Sequence, residues 1–167
     1  DFLVLGLGAE VNFFGVEGAA EHGFPLYTLP DAVRLKDHVL ERWEAADRDP
    51  SLVDDGALNV VVVGGGPTGV ETAGALAELY NGVFKKDYPD VAPGTAKVTL
   101  VEASPEIFSM FKPNIQEYAK EALTKRGVEV RTGEVVASVT PKASSIISER
   151  RNPGVIATAV APRGASS

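Results

Sequence analysis

The apolar positions change their period several times along the chain. Asp1–Gly8 (DFLVLGLG) is a short apolar run ending in glycines, the pattern of a buried strand. Ala9–Tyr27 (AEVNFFGVEGAAEHGFPLY) has no period and is rich in glycine and aromatics, as surface loops are. Helical spacing follows. Ala32, Leu35, Val39, Trp43 and Ala46 share one face, and Thr28 with Asp31 makes a capping box around Pro30. The polar stretch Asp47–Gly56 (DRDPSLVDDG) breaks that face and reads as a linker, the best internal boundary.

From Leu58 strand and helix patterns alternate. Val60–Val63 is a continuous β-branched run, which suits a parallel strand covered on both faces. The spacing predicts a helix from about Pro67 to Tyr80, with Gly69, Ala73 and Ala77 on a stripe small enough to lie close on a sheet. Asn81–Ala96 reads as an insertion with its own turns, and Lys97–Glu102 as the next strand. Pro113–Arg126 is a helix with proline at its start and Gly127 as its stop. Its predicted apolar face is Ile115, Tyr118, Ala119, Ala122 and Leu123. Val128–Arg131 and Glu134–Val139 read as short strands, and from about Lys142 the periodicity is lost, with Val155–Val160 a last strand-like run. The alternation predicts an α/β fold: a Rossmann-like parallel sheet with helices on both faces, plus a small antiparallel strand addition.

Composition narrows the function. A chain of 167 residues suits one domain with a real core. The net charge of −7, without any cluster of Lys or Arg, argues against nucleic acid. The absence of cysteine removes disulfides, thiolate zinc sites and thiol nucleophiles, and fits a cytoplasmic setting. His22 and His38 have no metal-ligand spacing, so no metal site is expected. No apolar run approaches the roughly 18 residues that span a bilayer. The sequence begins inside a strand pattern and its only methionine is Met110, so it reads as a piece of a longer protein.

The chemistry sits in residues 59–76, NVVVVGGGPTGVETAGAL. Gly64, Gly66 and Gly69 fit G-x-G-x-x-G after a strand and before a helix. The first permits the tight turn, the second lets a pyrophosphate approach the backbone, and the third packs helix on strand. With Gly65, Pro67 and Thr68 they form a turn whose helix N-terminus offers N–H groups to phosphates. No Lys-Ser/Thr follows, which excludes a nucleoside triphosphate loop. Glu102 ends the second strand, where an acidic residue receives the ribose hydroxyls of NAD; the 81–96 insertion explains its long spacing from Gly69. A 2′-phosphate there would meet a like charge, costing roughly 4 kcal/mol at about 4 Å and an effective dielectric near 20. Ala103, Ser104 and Pro105 supply no Arg to receive it, so NADH is expected over NADPH. Glu71 reads on its own as a first-turn carboxylate favoured by the helix dipole.

GGGPTGVETAGALAELY, preceded by DFLVLGLGAEVNFFGVEGAAEHGFPLYTLPDAVRLKDHVL and followed by KVTLVEASPEIFSMF, resembles the type II NADH:quinone dehydrogenases. The match runs from Asp1 to about Pro141. The resemblance implies that residues 1–27 are a remnant of the FAD domain and its connecting loop, with Gly6 and Gly8 near the flavin. It makes 28–56 a linking helix and linker, 57–141 the NADH-binding domain and 142–167 an atypical, unstructured tail. It places the pyrophosphate on Gly64, Gly66 and Gly69, the adenosine ribose on Glu102, and Glu71 beside the nicotinamide as the catalytic residue. Phe108, Met110 and Phe111 would face the FAD domain, and left uncovered would promote self-association.

The intact parent would pass hydride from NADH to FAD and electrons to quinone, peripheral on a membrane surface. The FAD-binding glycine motif, the later FAD segment and the membrane-associating region of the family are absent from this sequence, so this chain alone is expected to be inactive. A stand-alone NAD(H)-binding module and a non-functional truncated fragment remain open as alternatives.

Overall fold

A computed structural model of the chain describes residues 2–3, 10–91, 94–140, 143–146 and 152–153. Of the buried strand expected at Asp1–Gly8 only Phe2 and Leu3 are described, and they differ from the expectation, since both are exposed and belong to no strand; Gly6, Gly8 and the run Val155–Val160 lie outside the described residues.

The centre of the fold is a parallel sheet of three strands, β1 (Val60–Val63), β2 (Val98–Glu102) and β3 (Val128–Thr132), in the order β1-β2-β3. Its register sets Val62 beside Leu100 and Leu100 beside Val130. The unbroken valine run resolves into two faces, because side chains alternate along a strand. Val60, Val62, Val98, Leu100 and Val128 point into one core, and Val61 and Val101 into another. Both are covered, as a parallel sheet requires.

Three long helices cover the first face: α2 (Leu29–Arg48), α4 (Pro67–Glu78) and α6 (Pro113–Lys125). The second face is covered by one turn of helix, α1 (Ala19–His22), and by β4 (Val136–Thr140), with Ala19, Val136 and Val139 packed on Val61 and Val101. Gly18 lets this strap lie close: a Cβ there would stand 2.0 Å from the Val139 carbonyl oxygen. The Val139 N–H in turn donates to the Glu17 carbonyl at 2.8 Å.

α2 starts where the sequence places it. Thr28 accepts from the Asp31 N–H, and the Asp31 carboxylate accepts from the Thr28 N–H at 2.8 Å, closing the capping box. The Thr28 hydroxyl also donates to that carboxylate at 2.8 Å, and this bond first, then the one from the Thr28 N–H, holds the Asp31 carboxyl below its usual range. Leu35, Val39, Trp43 and Ala46 are buried on the expected face, in the same core as β1 and α4.

Three expectations need correction. Asn81–Ala96 is not an insertion made only of turns: α4 runs on through a wide π-helical turn, Leu79–Phe84, into α5 (Lys85–Asp87). The reason is aromatic packing. Tyr80 meets the Trp43 ring edge-on at 5.0 Å, and Phe84 and Tyr88 pack tilted against it at 4.8 and 5.7 Å, which outweighs the Asn-Gly turn signal at 81–82. Burial pushes the Tyr80 hydroxyl up to about 12, so it stays neutral there. Asn81 instead caps the neighbouring helix, its side-chain N–H donating to the Arg126 carbonyl at 2.9 Å.

The second correction concerns α6, where only Ala119 and Leu123 of the predicted face are buried. Ile115 is 39% and Tyr118 74% exposed, because the helix meets α4 and β3 along a narrow stripe. The third concerns the polar regions. Asp47–Gly56 holds the end of α2 and a further helical turn, α3 (Ser51–Asp54). Part of the stretch expected to lack structure is paired: β5 (Ala143–Ile146) runs antiparallel to β4, and β6 (Asn152–Pro153) to β5. That meander is the small antiparallel addition, in a sheet of its own.

Candidate functional site

The glycine-rich turn joins β1 to α4, and each of its glycines answers to a steric demand. Gly64 has φ 109°, a conformation that side chains rarely adopt, and this turns the chain out of the strand. At Gly69 a Cβ would stand 1.8 Å from the Gly64 carbonyl oxygen, so the helix can cross the strand end only with hydrogen there. Gly65 is closed in on the other side: a Cβ would come within 2.9 Å of Glu102 Cγ and of Ile107 Cγ2. Gly66 is different, since a Cβ on it would meet nothing within 4 Å. The second glycine of the motif therefore borders open space.

Gly66 is also the N-cap of α4, and no side chain caps that end. Pro67 occupies the first helical position, and the amides that follow begin the turn whose donors have no partner within the helix. An uncapped helix start next to open space is suited to an anionic group.

Glu102 ends β2 beside this turn. Its carboxylate accepts from the Gly65 N–H and, at 2.7 Å, from the Ser104 N–H. A carboxylate has about four acceptor sites. Two are used here, which leaves capacity for a pair of hydroxyl donors. The side chain is only part-buried, so one edge is open.

Glu71 is an exposed residue of α4 for which no hydrogen bond or ion pair stands among the described residues. It is the fifth residue of the helix, beyond the first turn. The dipole reading of its role is weakened accordingly, because that field falls off within one turn.

Sequence reasoning singled out Phe108, Met110 and Phe111 after β2 but missed how this segment holds the glycine-rich turn. Ile107 is fully buried beneath Gly65. Phe108 adopts φ 53°, rare for a bulky side chain, and its N–H donates to the Gly65 carbonyl at 2.7 Å. Gln116 on α6 holds the same turn: its amide donates to the Phe108 and Phe111 carbonyls at 3.2 and 2.9 Å. No period or motif marks these residues in the sequence, since their contacts are with backbone atoms. Of the expected apolar cluster, Phe108 is half-buried, whereas Met110 and Phe111 are 58% and 41% exposed. A cavity of about 350 Å³ lies elsewhere, between α2 and α4, lined by Leu26, Leu35, Val39, Leu76 and Phe84 but by no residue of the glycine-rich turn.

Comparison with known proteins gives a consistent result. The family model described as pyridine nucleotide-disulphide oxidoreductase matches residues 1–160. The external alternative NAD(P)H-ubiquinone oxidoreductase B3, mitochondrial, of Arabidopsis thaliana is 37% identical over 161 residues, 95% of this chain and 27% of that protein. A probable NADH-ubiquinone oxidoreductase, mitochondrial, of Schizosaccharomyces pombe is 36% identical over 155 residues, 92% of this chain and 28% of that protein. The chain thus spans about a quarter of the length of these relatives. Among solved structures, NDH2 from Plasmodium falciparum in complex with NADH superposes with a TM-score of 0.80. At 23% identity, over 92% of this chain and 33% of that one, it supports the fold.

Proposed function

Since the chain belongs to the pyridine nucleotide-disulphide oxidoreductase family, we propose that its glycine-rich turn binds NADH on behalf of a larger flavin-dependent NADH:quinone oxidoreductase. The observation that carries this reading is the uncapped start of α4 opening on free space at Gly66, with the Glu102 carboxylate beside it. In this arrangement Gly64, Gly65, Gly66, Pro67, Thr68 and Gly69 hold the pyrophosphate, and Glu102 receives the adenosine ribose. FAD bound in the intact protein would supply the hydride acceptor and the route of electrons to a quinone. The chain's own contribution is to bind and orient. The relatives are named as mitochondrial. For the intact protein we propose a peripheral place on a membrane surface; no helix of the described residues is long and apolar enough to cross one.

Calorimetric titration of the purified chain with NADH, and then with NADPH, tests this. NADH should bind at least about tenfold more tightly, since even half of the roughly 4 kcal/mol repulsion between Glu102 and a 2′-phosphate exceeds that factor. A chain that melts cooperatively yet binds neither cofactor would sink the reading and leave the turn a relic. Equal binding of both would remove Glu102 as the selecting residue.

Glu71 is proposed as the catalytic residue, exposed on α4 and set beside the nicotinamide. In the intact protein, Glu71→Gln should slow flavin reduction by NADH about tenfold while changing NADH affinity less than threefold, as loss of orientation does. Stopped-flow absorbance of the flavin measures the rate. An unchanged rate would return Glu71 to the status of a solvated surface acid.

A further inference from the structure

We infer that Gln116 is a positioning residue for the diphosphate, acting through the left-handed turn at Phe108. The inference rests on the dinucleotide reading and adds to it a residue that touches neither the glycine-rich turn nor the proposed ligand.

Begin with the peptide between Gly65 and Gly66. A trans peptide is planar, so its C=O and N–H point in opposite directions. The Gly65 carbonyl is held by the Phe108 N–H at 2.7 Å, on the side of the segment that follows β2. The Gly66 N–H must then point away from that segment, at a residue where even a Cβ would meet nothing within 4 Å. The preceding peptide is fixed as well. The Gly65 N–H donates to Glu102, which turns the Gly64 carbonyl toward Gly69 and the start of α4. The two peptides of the turn are therefore pinned from one side, and a donor is left facing the open side.

The alternative state is a flip of the 65–66 peptide. That would aim a carbonyl oxygen at the place of the diphosphate, exchanging an attraction for a repulsion. Glycines on both sides make such a flip sterically easy. What opposes it is the Phe108 N–H, and Phe108 itself stands at φ 53°, where a bulky residue persists only when its surroundings hold it. The Phe111 N–H closes the turn onto the Phe108 carbonyl at 2.8 Å. The Gln116 side chain donates to that same carbonyl at 3.2 Å and to the Phe111 carbonyl at 2.9 Å, tying the turn to the rigid start of α6. Phe108 and Phe111 add a ring contact at 5.0 Å.

Gln116→Glu tests this, because it keeps the shape and removes both donors. Its partner is Gln116→Lys, which keeps a donor. The probes are NADH and ADP-ribose, which share the diphosphate but not the nicotinamide. Gln116→Glu should raise the dissociation constant of both by the same factor, about tenfold, the worth of one charge-assisted hydrogen bond. Gln116→Lys should restore most of the affinity. The melting temperature of the unliganded protein should fall modestly, since a carboxylate then faces two carbonyl oxygens, and the Phe108 amide should exchange with solvent faster. A merely structural Gln116 would lower the melting temperature and leave the affinity of the folded fraction unchanged, and that result overturns the inference. If the unsubstituted chain binds neither probe, the dinucleotide reading fails first and this inference with it. If it binds both and Gln116→Glu binds them equally well, only the inference fails. Should Gln116→Glu not fold, slow exchange of the Phe108 amide in the unsubstituted chain, quickened in Gln116→Lys with no loss of affinity, would likewise overturn it.

Discussion

Glu102→Ala is expected to abolish measurable NADH binding and to destabilise the chain by about 2–3 kcal/mol. Both effects start from the same two oxygens. The carboxylate satisfies the Gly65 and Ser104 amides, of which Gly65 belongs to a buried residue. Truncation leaves both donors without their acceptor, and the Gly65 amide, on a buried residue, is the costlier of the two to leave unmade. The loss of binding follows from the ribose contacts and from the loosened turn together. Glu102→Gln separates the two. A neutral amide still presents one oxygen, but its NH₂ faces a backbone donor, so one of the two bonds to the protein is lost. It should show about half the destabilisation of Glu102→Ala and lose about tenfold in affinity, while narrowing the gap between NADH and NADPH. Urea denaturation and calorimetric titration of both variants read the two quantities independently. If Glu102→Ala loses stability but its folded fraction binds NADH as before, the acid is a strut of the turn and the ribose reading falls.

Much of this site is visible in the sequence because its demands are steric and local. A turn with a positive φ at Gly64 and a helix crossing at Gly69 admits one residue type, so the spacing of glycines records the geometry directly. The capping box of α2 is legible for a similar reason, since Thr28 and Asp31 satisfy each other within four residues. What the sequence hides is whatever depends on distant backbone. Phe108 meets the glycine turn through its backbone N–H, and Gln116 holds Phe108 by its backbone carbonyl, groups that every residue has. The π-helical turn at 79–84 escapes notice because Asn81-Gly82 is a strong local turn signal, and only the position of Trp43, far away in sequence, shows why a helix wins there. The exposed half of the α6 stripe is a third instance. Its period is helical and real, but how much of that face the sheet covers depends on where the helix sits over β3.

Gly69→Ala should be the most damaging of the small substitutions, and the same helix supplies its control. An alanine Cβ at 69 would stand 1.8 Å from the Gly64 carbonyl oxygen and 3.0 Å from its carbon, both backbone atoms that cannot swing aside. Helix propensity works the other way, since alanine in place of glycine within a helix gains about 1 kcal/mol. Strain exceeds that gain, because relief requires the start of α4 to lift off the end of β1; overpacking of this kind costs about 1–3 kcal/mol and more where backbone must move. The expected net loss is about 2 kcal/mol in stability, with NADH affinity lowered by at least about a hundredfold, as the donors at the helix start leave their places. Gly74→Ala, five residues along, meets only Leu123 Cδ2 at 3.7 Å, an ordinary contact. Its propensity gain is unopposed, so it should stabilise by up to about 1 kcal/mol and leave NADH binding intact. Two identical changes in one helix are thus expected to differ in sign, and the difference measures how closely α4 is drawn down on the turn. A Gly69→Ala chain that melts no lower than its parent and still binds NADH would mean that α4 yields at its first turn, and that the turn is not the rigid seat for a diphosphate proposed for it.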